Sequence, residues 1–138
     1  MLFHKKEVCE MGFFGRKKKG PGTIKITGIQ LCTLVKKLEV QVKKEVEEKH
    51  YITESEIIFE FHGHVHSAGV KYDKKRAKKE EKEKADLPIQ EYITVYLNKQ
   101  LFHSAEEMCF QGILEGIPIA NITQGILTYP EYRSLLPE

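Results

Sequence analysis

Between residues 61 and 66 the chain reads Phe-His-Gly-His-Val-His, which gathers half of its six histidines into five positions. Alternate residues of an extended strand project to one face, so His62, His64 and His66 would line up there. Imidazole nitrogen suits zinc, copper or nickel. Second neighbours along a strand stand roughly 6.6 Å apart by rise per residue. One ion can therefore be shared only if the side chains converge, and Gly63 is where the backbone could bend. A further donor would have to come from Glu60, Cys32, Cys109 or His103. The plainer expectation carries more weight: Ile57, Phe59, Phe61 and Val65 form the buried side of a strand, and Glu60, His62, His64 and His66 form its solvated side.

The Gly63–His66 segment resembles the last metal-ligand motif of the calcineurin-like metallophosphoesterases, in which Gly-His-x-His supplies two histidines to a binuclear site. The resemblance covers four residues. The Asp-x-His, Gly-Asp and Gly-Asn-His motifs that complete that family's site do not occur in this chain, and the activity is not carried over. No G-x-S-x-G elbow, P-loop or dinucleotide fingerprint is present either, and no catalytic residue is assigned.

A second pattern lies between Gln111 and Ile122. Gly112 stands four residues before Gly116, with Ile117 after it and Ile122 further on, the spacing of a helix-turn-helix over 104–128. Asn121, Thr123 and Gln124 would then be base-reading side chains. The net charge of +2 is unevenly spread. Residues 1–25 hold seven Lys or Arg against two Glu, residues 71–84 eight against four, and residues 85–138 two against seven. The acidic C-terminal part opposes phosphate binding there. Arg16, Lys17, Lys18 and Lys19 in the basic arm are the anion-contact candidates, joined by Asn121 and Gln124 if the helix pair forms. Tyr92 and Tyr96 could share a sheet face with the histidines, as stacking residues do in RNA-binding sheets.

These candidates need elements to hold them. Residues 1–22 read as a flexible arm, rich in Gly and Lys. Residues 23–138 read as a single α+β domain. Ile24 and Ile26 alternate on a short strand. Leu31, Leu34, Val35, Leu38, Val42 and Val46 recur at helical spacing, which predicts an amphipathic helix over about 30–49. Residues 56–66 predict a strand, with a paired strand continuing near Val70 and Tyr72. Residues 73–86 form a charged insertion with no apolar stripe, expected to be mobile and at best a frayed helix. A strand after Pro88 is expected to bury Ile89, Ile93, Val95 and Leu97. Ser104 and Glu107 form a capping box opening a helix to about Glu115, stopped by Gly116. A short helix near Ala120–Leu127 and a final turn from Pro130 follow. The order β-α-β-β-(α)-β predicts an antiparallel-rich sheet with helices on one face and a short helical C-terminal segment.

Three scattered cysteines, Cys9, Cys32 and Cys109, do not make a disulfide framework and point to a reducing, cytoplasmic setting. No apolar run approaches the ~20 residues of a membrane span, so membrane insertion is not expected. The expectation is a non-enzymatic binding or regulatory domain, with a protein partner or self-association ahead of nucleic acid. No cofactor is expected; the alternative is a metal-binding or metal-dependent hydrolytic site on the His62–His66 strand, holding zinc or another divalent ion.

Overall fold

The computed structural model of the chain describes residues 23–48, 53–83 and 87–136. The arm at residues 1–22, with Arg16, Lys17, Lys18 and Lys19, lies outside the described residues, as do residues 84–86 of the expected insertion. In chain order the elements are β1 (Ile24–Ile26), α1 (Gly28–Glu47), β2 (Glu54–Phe61), β3 (His64–Tyr72), α2 (Lys74–Lys82), β4 (Ile93–Leu97), β5 (Gln100–Phe102), α3 (Ala105–Gln111), β6 (Ile113–Leu114), β7 (Ile117–Pro118) and β8 (Ile126–Thr128). Short 3-10 helices at Ile89–Tyr92, Ile119–Asn121 and Pro130–Leu135 complete the path. Six strands form one antiparallel sheet in the order β1-β8-β2-β3-β4-β5, and β6 and β7 form a separate hairpin. This is an α+β fold.

The helix α1 begins where its chemistry requires. Thr27 accepts from the Gln30 amide at 3.0 Å, while the Gln30 side chain accepts from the Thr27 amide at 2.9 Å, so both orphan donors are satisfied. Its apolar stripe, Leu31, Leu34, Val35, Leu38 and Val42, is fully buried. It packs on the sheet face made by Ile57, Phe59 and Phe61 of β2 and Ala68 and Val70 of β3. Glu39 is buried on the same helix; its carboxylate accepts from Gln90 at 2.8 Å and from the Ala105 amide at 3.4 Å, which joins α1 to the start of α3.

The opposite sheet face has its own lock. Gly69 stands between Glu56 of β2 and Tyr96 of β4 in the strand register. With no side chain at Gly69, the Tyr96 ring crosses it and its hydroxyl donates to Glu56 at 2.7 Å. A Cβ at position 69 would stand 2.5 Å from the Ser55 carbonyl oxygen and 2.7 Å from the Tyr96 hydroxyl. Tyr96 is thus buried by its own sheet, and burial together with the Glu56 carboxylate pushes its phenol well above the usual range.

Several expectations need correction. The charged segment after Asp73 is a defined helix, α2, despite having no buried residue. Arg76 pairs with Glu80 at 2.9 Å one turn on, its guanidinium lies over the Tyr92 ring, and the Tyr92 hydroxyl donates to Glu80 at 2.7 Å. These contacts offset the like-charged lysine pairs. Ile89–Tyr92 is a 3-10 turn, and the strand starts at Ile93. Most consequential for topology, the expected helix at 120–127 does not form. Ile126–Thr128 is a strand that enters the sheet between β1 and β2. Ile126 and Thr128 are buried while Leu127 is half-buried, a period of two that three residues are too short to announce. No helix among the described residues is long and apolar enough to cross a membrane.

Replacing Gly69 by Ala forces either the Ser55 carbonyl or the Tyr96 ring to move. Overpacking of this kind costs about 1–3 kcal/mol, so the urea midpoint of Gly69→Ala should fall with an unchanged slope. A midpoint equal to that of the parent protein would show that the outer face is not closed as described.

Candidate metal centre

The β2–β3 connection decides where the histidines point. His62 and Gly63 both have positive φ, 54° and 79°, the signature of a two-residue hairpin turn whose twist matches the flanking strands. Phe61 then pairs with His64, and Phe59 pairs with His66. Cross-strand partners share a face, so His64 and His66 continue the core face of β2 rather than its solvated side. The expectation that placed Val65 with the buried residues is inverted as well: Val65 is 55% exposed. A two-residue reversal resets the alternation, and an unbroken strand through Gly63 is the wrong register.

At this end of the sheet the core face is covered by the β6–β7 hairpin. The helix expected to run to Glu115 stops at Gln111, and Glu115 and Gly116, with φ of 52° and 83°, form a second tight reversal. Leu114 is fully buried beneath it. The Gln100 side chain accepts from the Ile113 amide at 2.9 Å and donates to the Ile113 carbonyl at 2.6 Å. So held, Glu115 reaches all three imidazoles. Its Oε1 lies 3.1 Å from His62 Nδ1, and its Oε2 lies 3.1 Å from His64 Nδ1 and 2.7 Å from His66 Nε2. One donor atom from each of His64, His66 and Glu115 falls within 4.8 Å of the others.

The rings are seated unequally. His66 is 13% exposed, stacked on Phe59 with centroids 5.6 Å apart, whereas His64 is 71% exposed. His62 stacks on Phe61 at 3.8 Å. The far nitrogen of His66, Nδ1, lies 3.0 Å from Asn98 Nδ2. Asn98 is itself oriented by the β4–β5 turn: its Oδ1 accepts from the Ser67 amide at 3.1 Å, and its own amide donates to the Ser67 carbonyl at 2.7 Å. Because Oδ1 is taken by an N–H, the group facing His66 is the NH₂ donor. His66 Nδ1 is therefore an acceptor, and its proton sits on Nε2, donated to Glu115.

Backbone strain converges on the same place. Among the described residues, the non-glycine residues with positive φ are His62, Asn98 and Glu115, and all three touch this cluster. Such conformations cost on the order of 1–3 kcal/mol and persist where surroundings over-determine them. Asn and His tolerate them better than Glu does, so Glu115 is the most demanding of the three. The imidazoles, His66 first, hold the Glu115 carboxyl down at about 2.

The anticipated further donors lie elsewhere. Glu60 is on the opposite sheet face, His103 is exposed before α3, and Cys32 and Cys109 belong to the helices. The helix-turn-helix expectation also loses its frame. Residues 104–128 form α3, the β6–β7 hairpin, a 3-10 turn and β8, so no second helix presents Asn121, Thr123 and Gln124. All three are exposed, on the 3-10 turn and the loop after it. Gly112 packs against Leu97 rather than against a crossing helix. Tyr92 and Tyr96 are engaged with Glu80 and Glu56, away from the histidines. Glu115 and Asn98 carried no local signal except the Glu-Gly and Asn-Lys pairs, which fit tight turns. No family model, no curated protein and no solved structure matches the chain.

A carboxyl held low stabilises the fold above the ordinary carboxylate range, and that contribution is lost as pH falls through about 2. Carbon-13 titration of the Glu115 carboxyl should give a midpoint near 2 in the parent protein. In His66→Ala it should return towards the ~4.3 of a free Glu. A parent midpoint already near the free value would mean that the imidazoles do not gather on this carboxylate.

Proposed function

We propose that the domain binds a divalent metal ion of the zinc class, with His64 Nδ1, His66 Nε2 and a Glu115 oxygen as ligands and His62 Nδ1 beside them. The observation that supports this is the convergence of three imidazole nitrogens on one carboxylate at 2.7 to 3.1 Å. Those spacings approach the edges of a tetrahedron with ~2.0–2.2 Å bonds to a central ion. A nitrogen-rich set with one carboxylate suits zinc, nickel or copper better than magnesium or calcium.

Two features support an exchangeable site rather than a structural one. The core is filled by Phe59, Phe61 and their neighbours without any contribution from the ligands, so folding does not wait on the ion. Asn98 also favours the proton on His66 Nε2. For that nitrogen to bind an ion, Nδ1 must take up the proton, and the Asn98 amide must turn its oxygen to it and give up Ser67. The ion and that proton therefore exclude each other on Nε2, and binding carries the cost of a change of tautomer. An Asp at position 98 would remove this conflict, since one oxygen could accept from Ser67 and the other from His66 Nδ1–H, the carboxylate–histidine–metal arrangement.

Calorimetric titration of the full chain with zinc should give one site. His66→Ala and Glu115→Ala should each weaken it at least tenfold, and Asn98→Asp should tighten it by about tenfold or more. Equal affinities across the parent and all three variants would count against the site.

A second reading, contact with another protein, is favoured by a separate feature. On the edge strand β5, Leu101 is 71% exposed; Ile113, tied to neighbouring Gln100, is 48% exposed; and Phe110, one turn upstream, is 79% exposed. Exposed apolar side chains beside an edge strand with one free side are a usual form of an interface. On this reading the parent sediments above monomer mass at tens of micromolar, and Phe110→Ser with Leu101→Ser sediments as a monomer; a monomeric parent removes self-association. The thiols of Cys32 and Cys109, both unbridged, support a reducing compartment such as the cytoplasm.

A further inference from the structure

Two of the thiols meet at the α1–α3 interface. Cys32 lies on the buried stripe of α1, 3% exposed, and Cys109 lies half-buried on α3 against the same core. A contact independent of the sulfurs ties the two helices together. Glu39 of α1 accepts from Ala105, the first residue of α3. Seven residues back along α1 is Cys32, on the same face; four residues on along α3 is Cys109, also on the same face. The packing of these helices brings the two side chains into mutual influence, each sulfur shifting the ionisation of the other. The exposed Lys36, one turn after Cys32, acts electrostatically on both sulfurs.

We infer that Cys32 and Cys109 form a redox-active thiol pair, with Cys109 as the attacking sulfur and Cys32 as the resolving one, closing a reversible disulfide between α1 and α3. The environments are unequal in the direction this requires. Hydrogen-bonding interaction with Cys109 and burial both push the ionisation of Cys32 up, while Cys109 is lowered first by its interaction with Cys32 and then by Lys36. A partly exposed, thiolate-favoured sulfur is the form that reacts.

The oxidant is hydrogen peroxide. Cys109 thiolate attacks the terminal peroxide oxygen, the O–O bond breaks, and Cys109 becomes a sulfenic acid while hydroxide leaves. Cys32 loses its proton to that hydroxide, its sulfur attacks the Cys109 sulfur, and the S–OH bond breaks with loss of a second hydroxide, which is protonated to water. In sum, two thiols give up two electrons and two protons, and one peroxide becomes two waters. The S–S bond needs its sulfurs at about 2.05 Å, closer than hydrogen-bonding reach, so α3 must shift slightly towards α1. This seven-residue helix is fastened by Ser104 at one end and by the close packing of Gly112 at the other.

The test uses the full chain carrying Cys9→Ser, so that only these two thiols remain. After exposure to a small excess of hydrogen peroxide without denaturant, tryptic peptide mass mapping should find the Cys32 and Cys109 peptides linked, two hydrogen masses below their sum, and separated again by dithiothreitol. Trapping with a sulfenic-acid reagent should label Cys109 in Cys32→Ser but not Cys32 in Cys109→Ser. Lys36→Gln should slow alkylation of Cys109 by iodoacetamide at neutral pH several-fold. The inference is overturned if peroxide leaves both thiols free, if it drives Cys109 to sulfinic acid with Cys32 unlinked, or if the linked peptide forms only in denaturant.

Discussion

The pairing of Phe61 with His64 across a two-residue turn is the contact on which the site rests. Had the chain reversed with one residue more or fewer, His64 and His66 would face outwards beside Glu56 and Glu60, and Val65 would take their place over the core. A strand has a period of two, so register errors of one residue exchange its faces completely. Here the exchange has chemical consequences. The core face carries a buried aromatic wall, Phe59 and Phe61, against which His66 and His62 stack, and it is the face that the β6–β7 hairpin covers.

Three turns then complete what the parity begins. The His62–Gly63 reversal aligns the imidazoles, the Glu115–Gly116 reversal brings in the carboxylate, and the turn at Asn98 supplies the amide that orients His66. Each puts a non-glycine residue into the left-handed region. The cost of those conformations is offset by what the turns hold: a carboxylate accepting from three rings, an amide bridging Ser67 and His66, and Leu114 buried under the hairpin. Strand β3 carries His64 and His66, while turns carry His62, Glu115 and Asn98, and the contacts of Gln100 with Ile113 hold the turn that presents Glu115.

How much of this could be read from the sequence depended on distance along the chain. Helical spacing identified α1 because Leu31, Leu34, Val35 and Leu38 signal locally. The Ser104 cap was likewise visible: its hydroxyl accepts from Glu107 as expected, although the Glu107 side chain reaches past it to the His103 amide. Pro130 opens its 3-10 turn as anticipated. The histidines stood out by type and spacing, but their direction did not, because Gly63 fits both a bulge and a hairpin corner. Glu115 joins them from about fifty residues away, in a segment whose Gly112 and Gly116 also fit a helix stop. β8 was missed for a related reason: three residues hold one alternation, and only its place between β1 and β2 makes it a strand. Local grammar finds elements, whereas a site assembled from three turns is a property of the sheet.

The most direct measurement is long-range nitrogen-15 NMR of the imidazole rings, recorded without metal and then with one equivalent of zinc. Without metal, His66 should show a protonated Nε2 and an unprotonated Nδ1, the tautomer that Asn98 dictates. With zinc, the proton should move to His66 Nδ1, and His64 Nδ1 should shift as a bound nitrogen. Rings that keep their metal-free tautomers and shifts in the presence of zinc would contradict the account, as would a metal-free His66 protonated on Nδ1.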